Sequence, residues 1–114
     1  MIKLYHNNRC SKSRCALEYL EEQHKDFEVV DLLKEKLSKS DLEELLKLLD
    51  MRSSELIRKE DAFFKENFGG KNYTEEEYLD IMLKNPRLIQ RPIVVKNGKA
   101  VIGRPLENVE QLLG

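Results

Sequence analysis

An apolar stretch from Ile2 to Tyr5 is followed by a helical pattern from Ser11 or Lys12 to about His24, then by a second apolar stretch from Phe27 to Leu32. Strand, crossover helix and strand in so short a span leave little topological choice. The two strands are expected to lie parallel, joined by a right-handed crossover. The chain is thereby committed to a layered α/β arrangement from its first residues.

The strands return near the other end. Pro92-Ile93-Val94-Val95-Lys96 and Lys99-Ala100-Val101-Ile102 flank Asn97-Gly98, the dipeptide favoured in a type I′ hairpin turn. An amphipathic helix from Leu106 to Leu113 follows. Between the two strand regions the pattern is helical. Ser40 with Glu43 forms a capping box ahead of Leu42, Leu45, Leu46 and Leu49, which share one face. Ser53 or Ser54 can cap a short helix carrying Leu56, Ile57 and Arg58. Phe63, Phe64 and Phe68 belong to another, ended by Gly69-Gly70. Thr74 with Glu77 opens a last helix that stops at Asn85-Pro86. The order predicts one α/β domain over residues 1–114: a βαβ unit, a helical insertion over about 38–86, and a ββα unit. Its helices would pack on a small mixed four-stranded sheet.

Charged residues are 36% of the 114, hydrophobic residues 40%, and the net charge is −1. That balance gives no electrostatic case for nucleic acid or an anionic membrane as partner. No apolar run approaches the ~20 residues of a membrane helix, and no signal peptide is apparent. Two cysteines are too few for a disulfide framework. On one helix their Cα atoms would stand roughly 8.6 Å apart, beyond disulfide reach. A reduced, cytoplasmic protein is expected.

Cys10 sits in the loop His6-Asn7-Asn8-Arg9-Cys10-Ser11-Lys12-Ser13-Arg14, between the first strand and the first helix. A thiol there meets the free N–H groups and the positive end of the helix, which favour the reactive thiolate. The same N–H groups can cradle a tetrahedral oxyanion. A buried, inert cysteine would keep apolar company, whereas Cys10 has polar and basic neighbours. Cys15, beside Ala16 and Leu17, reads as a packing residue. The loop is Cys-Ser-Lys-Ser rather than Cys-x-x-Cys, so a redox cycle would need a thiol from another molecule.

His6 can support the thiolate or satisfy groups at the strand end; His24 reads as solvated. Among the arginines, Arg91 and Arg104 each precede a proline, which favours extended backbone. Both lie at ends of the hairpin strands, where strand ends brought together would converge them on Cys10. Together with Arg58 they are candidates for bidentate oxyanion binding. The plain alternative for each is a surface ion pair. The cysteines and histidines match no zinc spacing, and no metal is expected.

Four blocks together, His6-Asn7-x-x-Cys10-x-x-Ser13-Arg14, Leu56-Ile57-Arg58-Lys59, Arg91-Pro92-Ile93-Val94-Val95 and Gly103-Arg104-Pro105, resemble the glutaredoxin-coupled arsenate reductase family in order and spacing. The resemblance spans essentially the whole chain. It implies a thioredoxin-like fold with a helical insertion and Cys10 as nucleophile. It also implies Arg58, Arg91 and Arg104 as oxyanion ligands, His6, Ser13 and Arg14 as supports of the thiolate and loop, and a cis bond before Pro92. The implied activity is reduction of arsenate to arsenite, with glutathione as thiol co-substrate and glutaredoxin as partner; no bound cofactor and a monomeric protein are expected. The wider family includes the Spx regulators, which bind RNA polymerase, and glutathione-linked proteins acting on other substrates. A Spx-like regulator and a glutathione-dependent reductase of a non-arsenate substrate are therefore the competing readings.

Overall fold

Strands from both ends of the chain meet in one sheet. They are β1 (Ile2–His6), β2 (Phe27–Asp31), β3 (Ile93–Lys96) and β4 (Lys99–Ile102), in the order β2-β1-β3-β4. The computed structural model describes residues 2–23 and 26–114; His24, expected to be solvated, lies outside the described residues. β1 and β2 run parallel, while β1 with β3 and β3 with β4 are antiparallel. Asn97 (φ 49°) and Gly98 (φ 76°) both take positive φ in the hairpin, as a type I′ turn requires.

Two compact units form: Met1–Glu35 with Arg91–Gly114, and Lys36–Gln90. The first holds the sheet with α1 (Ser11–Glu22) and, at the end of the chain, a helix over Glu107–Leu113. Ile2 and Leu4, two residues apart and so on one face of β1, pack with Val94 of β3. Ala16 and Leu20 from α1, and Val109 and Leu113 from the final helix, complete this core.

The second unit is helical: α2 (Lys39–Leu49), α3 (Ser53–Leu56), α4 (Ala62–Phe68), α5 (Glu75–Lys84) and a 3₁₀ turn at Pro86–Leu88. The final helix of the first unit is accordingly α6. α2, α3 and the 3₁₀ turn all pack on α5, whose start carries the expected Thr74–Glu77 box. Two local expectations are corrected. The α2 box is Ser38 with Asp41, not Ser40 with Glu43. Ser38 also has a carboxylate three residues on, and capping there lets the helix begin half a turn earlier. α3 starts after Arg52, whose backbone N–H donates to Glu55 at 2.9 Å, and it stops before Ile57 and Arg58. Those two are drawn out of the helix by another backbone segment. Ile57 bridges Ile89, and the Arg58 N–H donates to the Leu88 carbonyl at 2.7 Å. Among the described residues, no helix is long and apolar enough to cross a membrane.

Candidate active site

Sheet register decides which residues can meet at the end of β1. Tyr5 pairs with Ile93, so the chain just before β3 runs beside the chain just after β1. Ile93 pairs in turn with Ile102, and Gly103 donates its N–H to the Pro92 carbonyl at 2.8 Å. The register therefore carries Arg91 and Arg104 to the end of the sheet where the cysteine loop begins. The Arg91–Pro92 and Arg104–Pro105 bonds are both cis.

The loop is tied down by its own polar residues. Asn7 is buried; its Oδ1 accepts the Arg9 N–H at 2.9 Å and its carbonyl accepts the Cys10 N–H at 3.0 Å, an Asx turn that aims the chain into α1. Ser13, fully buried, accepts the Asn7 N–H at 3.0 Å. Its Oγ lies 2.6 Å from Nδ1 of the buried His6, with the donor set by the imidazole tautomer. His6 thus grips the loop through Ser13. Arg14 is exposed, and its Nη1 donates back to the Asn8 carbonyl at 2.9 Å.

Cys10 is the N-cap residue of α1 and is 9% exposed. Its sulfur occupies the place usually held by a hydroxyl or carboxylate oxygen, although no side-chain capping hydrogen bond forms. Burial pushes the Cys10 thiol up. The Ser13 and Lys12 amides of the first turn, then the charge and hydrogen bond of Arg91, outweigh it and hold the thiol below the ordinary cysteine range. Arg91 is itself 9% exposed, so little water screens it from the sulfur. A partly shielded thiolate beside a guanidinium and a row of amides can attack an electrophile while its oxygens are held.

His6, Ser13, Cys10 and Arg91 thus come together in the first unit. Arg104 is half-buried after β4, and its carbonyl accepts from Asn108 Nδ2 at 3.3 Å. Arg58 belongs to the second unit, where its Nη1 stands 3.8 Å from Asp61. Cys15 corrects an expectation: it is exposed, not packed. α1 buries Ser13, Ala16 and Leu20, and Cys15 falls outside that row. Among the described residues, no cluster of three or more His, Cys, Asp or Glu could hold a metal ion.

Asn7 is not among the candidate site residues above, although an Asn before a helix start is an Asx-turn signal. Neither is Gly103. A Cβ there would meet Val109 Cγ2 at 2.8 Å and Pro92 Cγ at 2.9 Å, which makes the glycine a spacer between Arg91-Pro92 and Arg104. Gly103→Ala is expected to lower stability by about 1–3 kcal/mol through overpacking, read as a lower urea midpoint with an unchanged m-value.

The sheet, the covering helices and the N-cap cysteine define a thiol protein of thioredoxin-like fold; a solved structure described as a thioredoxin-like protein shares that fold at 18% identity and a TM-score of 0.50. The sequence profile of the ArsC family matches residues 5–112, and the chain belongs to that family. It is 45% identical to the uncharacterized protein YfgD of Escherichia coli, over 99% of this chain and 97% of that one. It is 41% identical to an arsenate reductase of Neisseria meningitidis, over 98% and 97%. The solved arsenate reductase of Vibrio cholerae superposes with a TM-score of 0.88 at 36% identity, covering 96% of this chain and 95% of that one.

Proposed function

We propose that this protein reduces arsenate to arsenite with Cys10 as nucleophile and a glutathione and glutaredoxin couple as the external thiol source. The observation that carries the reading is the placement of Cys10 at the N-cap of α1, at the end of the sheet to which the strand register brings Arg91 and Arg104. Burial pushes its thiol up, but the Ser13 and Lys12 amides and Arg91 hold it below the ordinary cysteine range. The arsenate reductases among its relatives supply the substrate.

In this scheme arsenate is held by the loop amides, Arg91 and Arg104. Arg58 is given the same role on the strength of the family resemblance. The Cys10 thiolate attacks arsenic, an oxygen leaves as water after protonation, and a sulfur–arsenic(V) bond forms. Glutathione thiolate then attacks the Cys10 sulfur. The sulfur–arsenic bond breaks with its electron pair left on arsenic, which departs as arsenite. Two thiol sulfurs have together lost two electrons and now form a Cys10–glutathione disulfide. Glutaredoxin takes the glutathione and returns the Cys10 thiol. An external thiol suits a loop without a Cys-x-x-Cys pair. The chain would work as a cytoplasmic monomer, one domain over residues 1–114, with no bound cofactor.

The test is arsenate-dependent NADPH oxidation by the purified protein with glutathione, glutathione reductase and glutaredoxin, run beside the same mixture lacking glutaredoxin. Turnover that requires both arsenate and glutaredoxin is the expected result. No turnover with verified reagents and reduced Cys10 would overturn the arsenate assignment.

A further inference from the structure

Arg58 does not stand alone in the second unit. Its Nη1 is 3.8 Å from Asp61 Oδ2, and its side chain is about one-quarter exposed. Asp61 is far more enclosed, with 9% of its side chain exposed, and is shared. Arg87 Nη2 reaches both of its oxygens, at 3.1 and 3.4 Å. The Phe63 N–H donates to Oδ1 at 2.8 Å, making Asp61 the N-cap of α4. The Arg87 guanidinium also lies over the Phe63 ring, 5.1 Å from its centroid. Two guanidiniums thus face one carboxylate, and the closer of the two is Arg87.

We propose that Arg87 is a positioning residue that engages Asp61 and so leaves the charge of Arg58 available to an oxyanion. The proposal rests on the oxyanion role given to Arg58 above. Its physical content is charge division. A carboxylate with a short contact to one cation attracts a second, more distant cation less than a bare carboxylate would. Asp61 behaves accordingly. Burial pushes its carboxyl up, but the Phe63 N–H, then Arg87 and lastly Arg58 hold it below the usual carboxylate range. With Arg58, Asp61 and Arg87 all ionised, the group carries net +1. Removing the charge of Arg87 leaves zero, with Asp61 turned wholly on Arg58. Removing the charge of Asp61 as well restores +1.

This ordering is unlike that of a purely structural role, in which a second lesion would add to the first. Equilibrium titration of arsenate into the Cys10→Ser protein, at fixed ionic strength, reads it without turnover. Arg87→Gln is expected to weaken arsenate binding about three- to fivefold, the factor that corresponds to the upper range of partly exposed ion pairs. Arg87→Lys keeps the charge and should stay within about twofold of the parent protein. Asp61→Asn retains a capping oxygen for the Phe63 N–H and should tighten binding. The double variant Arg87→Gln with Asp61→Asn should return to the parent value. Unfolding midpoints establish that each variant is folded.

Arg58→Gln separates the two possible failures. Unchanged arsenate binding in that variant would overturn the oxyanion role of Arg58, and this inference with it. Weakened binding there, with Arg87→Gln equal to the parent or with no recovery in the double variant, would overturn the charge division alone.

Discussion

Cys10→Ser is expected to bring arsenate-dependent turnover to background, a loss of at least about 10⁴-fold, in line with the removal of a nucleophile that acts as part of a unit. Serine keeps the size and the N-cap position, so the loop amides should stay in place. What disappears is the redox chemistry. A hydroxyl in this setting is not ionised near neutral pH and cannot be oxidised to a disulfide with glutathione. The coupled NADPH assay measures the loss, and circular dichroism checks that the fold survives. Substantial residual turnover would place the chemistry at another group and end the proposed scheme.

The next largest effect is expected from Arg91→Ala, about a hundredfold in kcat/KM, the scale of removing one preorganised donor from a charge-stabilising site. The variant should also move the thiol. Arg91 lowers the Cys10 pKa through its charge and its hydrogen bond, so its removal raises it. In the parent protein the rate of iodoacetamide alkylation at Cys10 should rise with pH through an inflection below that of an ordinary cysteine. In Arg91→Ala the inflection should lie higher. Arg91→Lys should recover part of the pKa effect and less of kcat/KM, since an ammonium keeps the charge but lacks the planar fork. An unmoved inflection in Arg91→Ala would remove Arg91 from the account of the thiolate. The linked effect on stability has a definite sign. The depressed folded-state pKa contributes stability that is complete above the unfolded thiol's pKa and is lost as pH falls through the folded value.

Much of this site is written in short-range signals. Asn97-Gly98 demands a tight turn, the apolar stretches on either side demand a hairpin, and Cys10 stands where a strand pattern gives way to a helix pattern. From these the sheet and the N-cap thiol were legible. Other features depended on choices that neighbouring residues make together. Ser38 and Ser40 are both followed three residues later by a carboxylate, and only the packed helix selects between them. Ile57 and Arg58 have helical neighbours, but Ile89 and Leu88 offer their backbones a better partner. Ala16 and Leu17 suggest packing for Cys15, but neighbours in sequence are not neighbours in space on a helix, and Cys15 is exposed. Gly103 could be recognised as a spacer only once Pro92 and Val109 lay against it.

The two thiols at the start of the first helix, one capping it and one inside it, pose opposite problems to a chemical reagent. Cys10 is activated but recessed, whereas Cys15 faces solvent. A bulky maleimide dye should therefore mark Cys15 and pass over Cys10, while a small haloacetamide would find both. The solvent-facing thiol thus offers a ready attachment point for a fluorophore or spin label. It also means that counting modified sulfurs reports on the nucleophile only in a Cys15→Ala background.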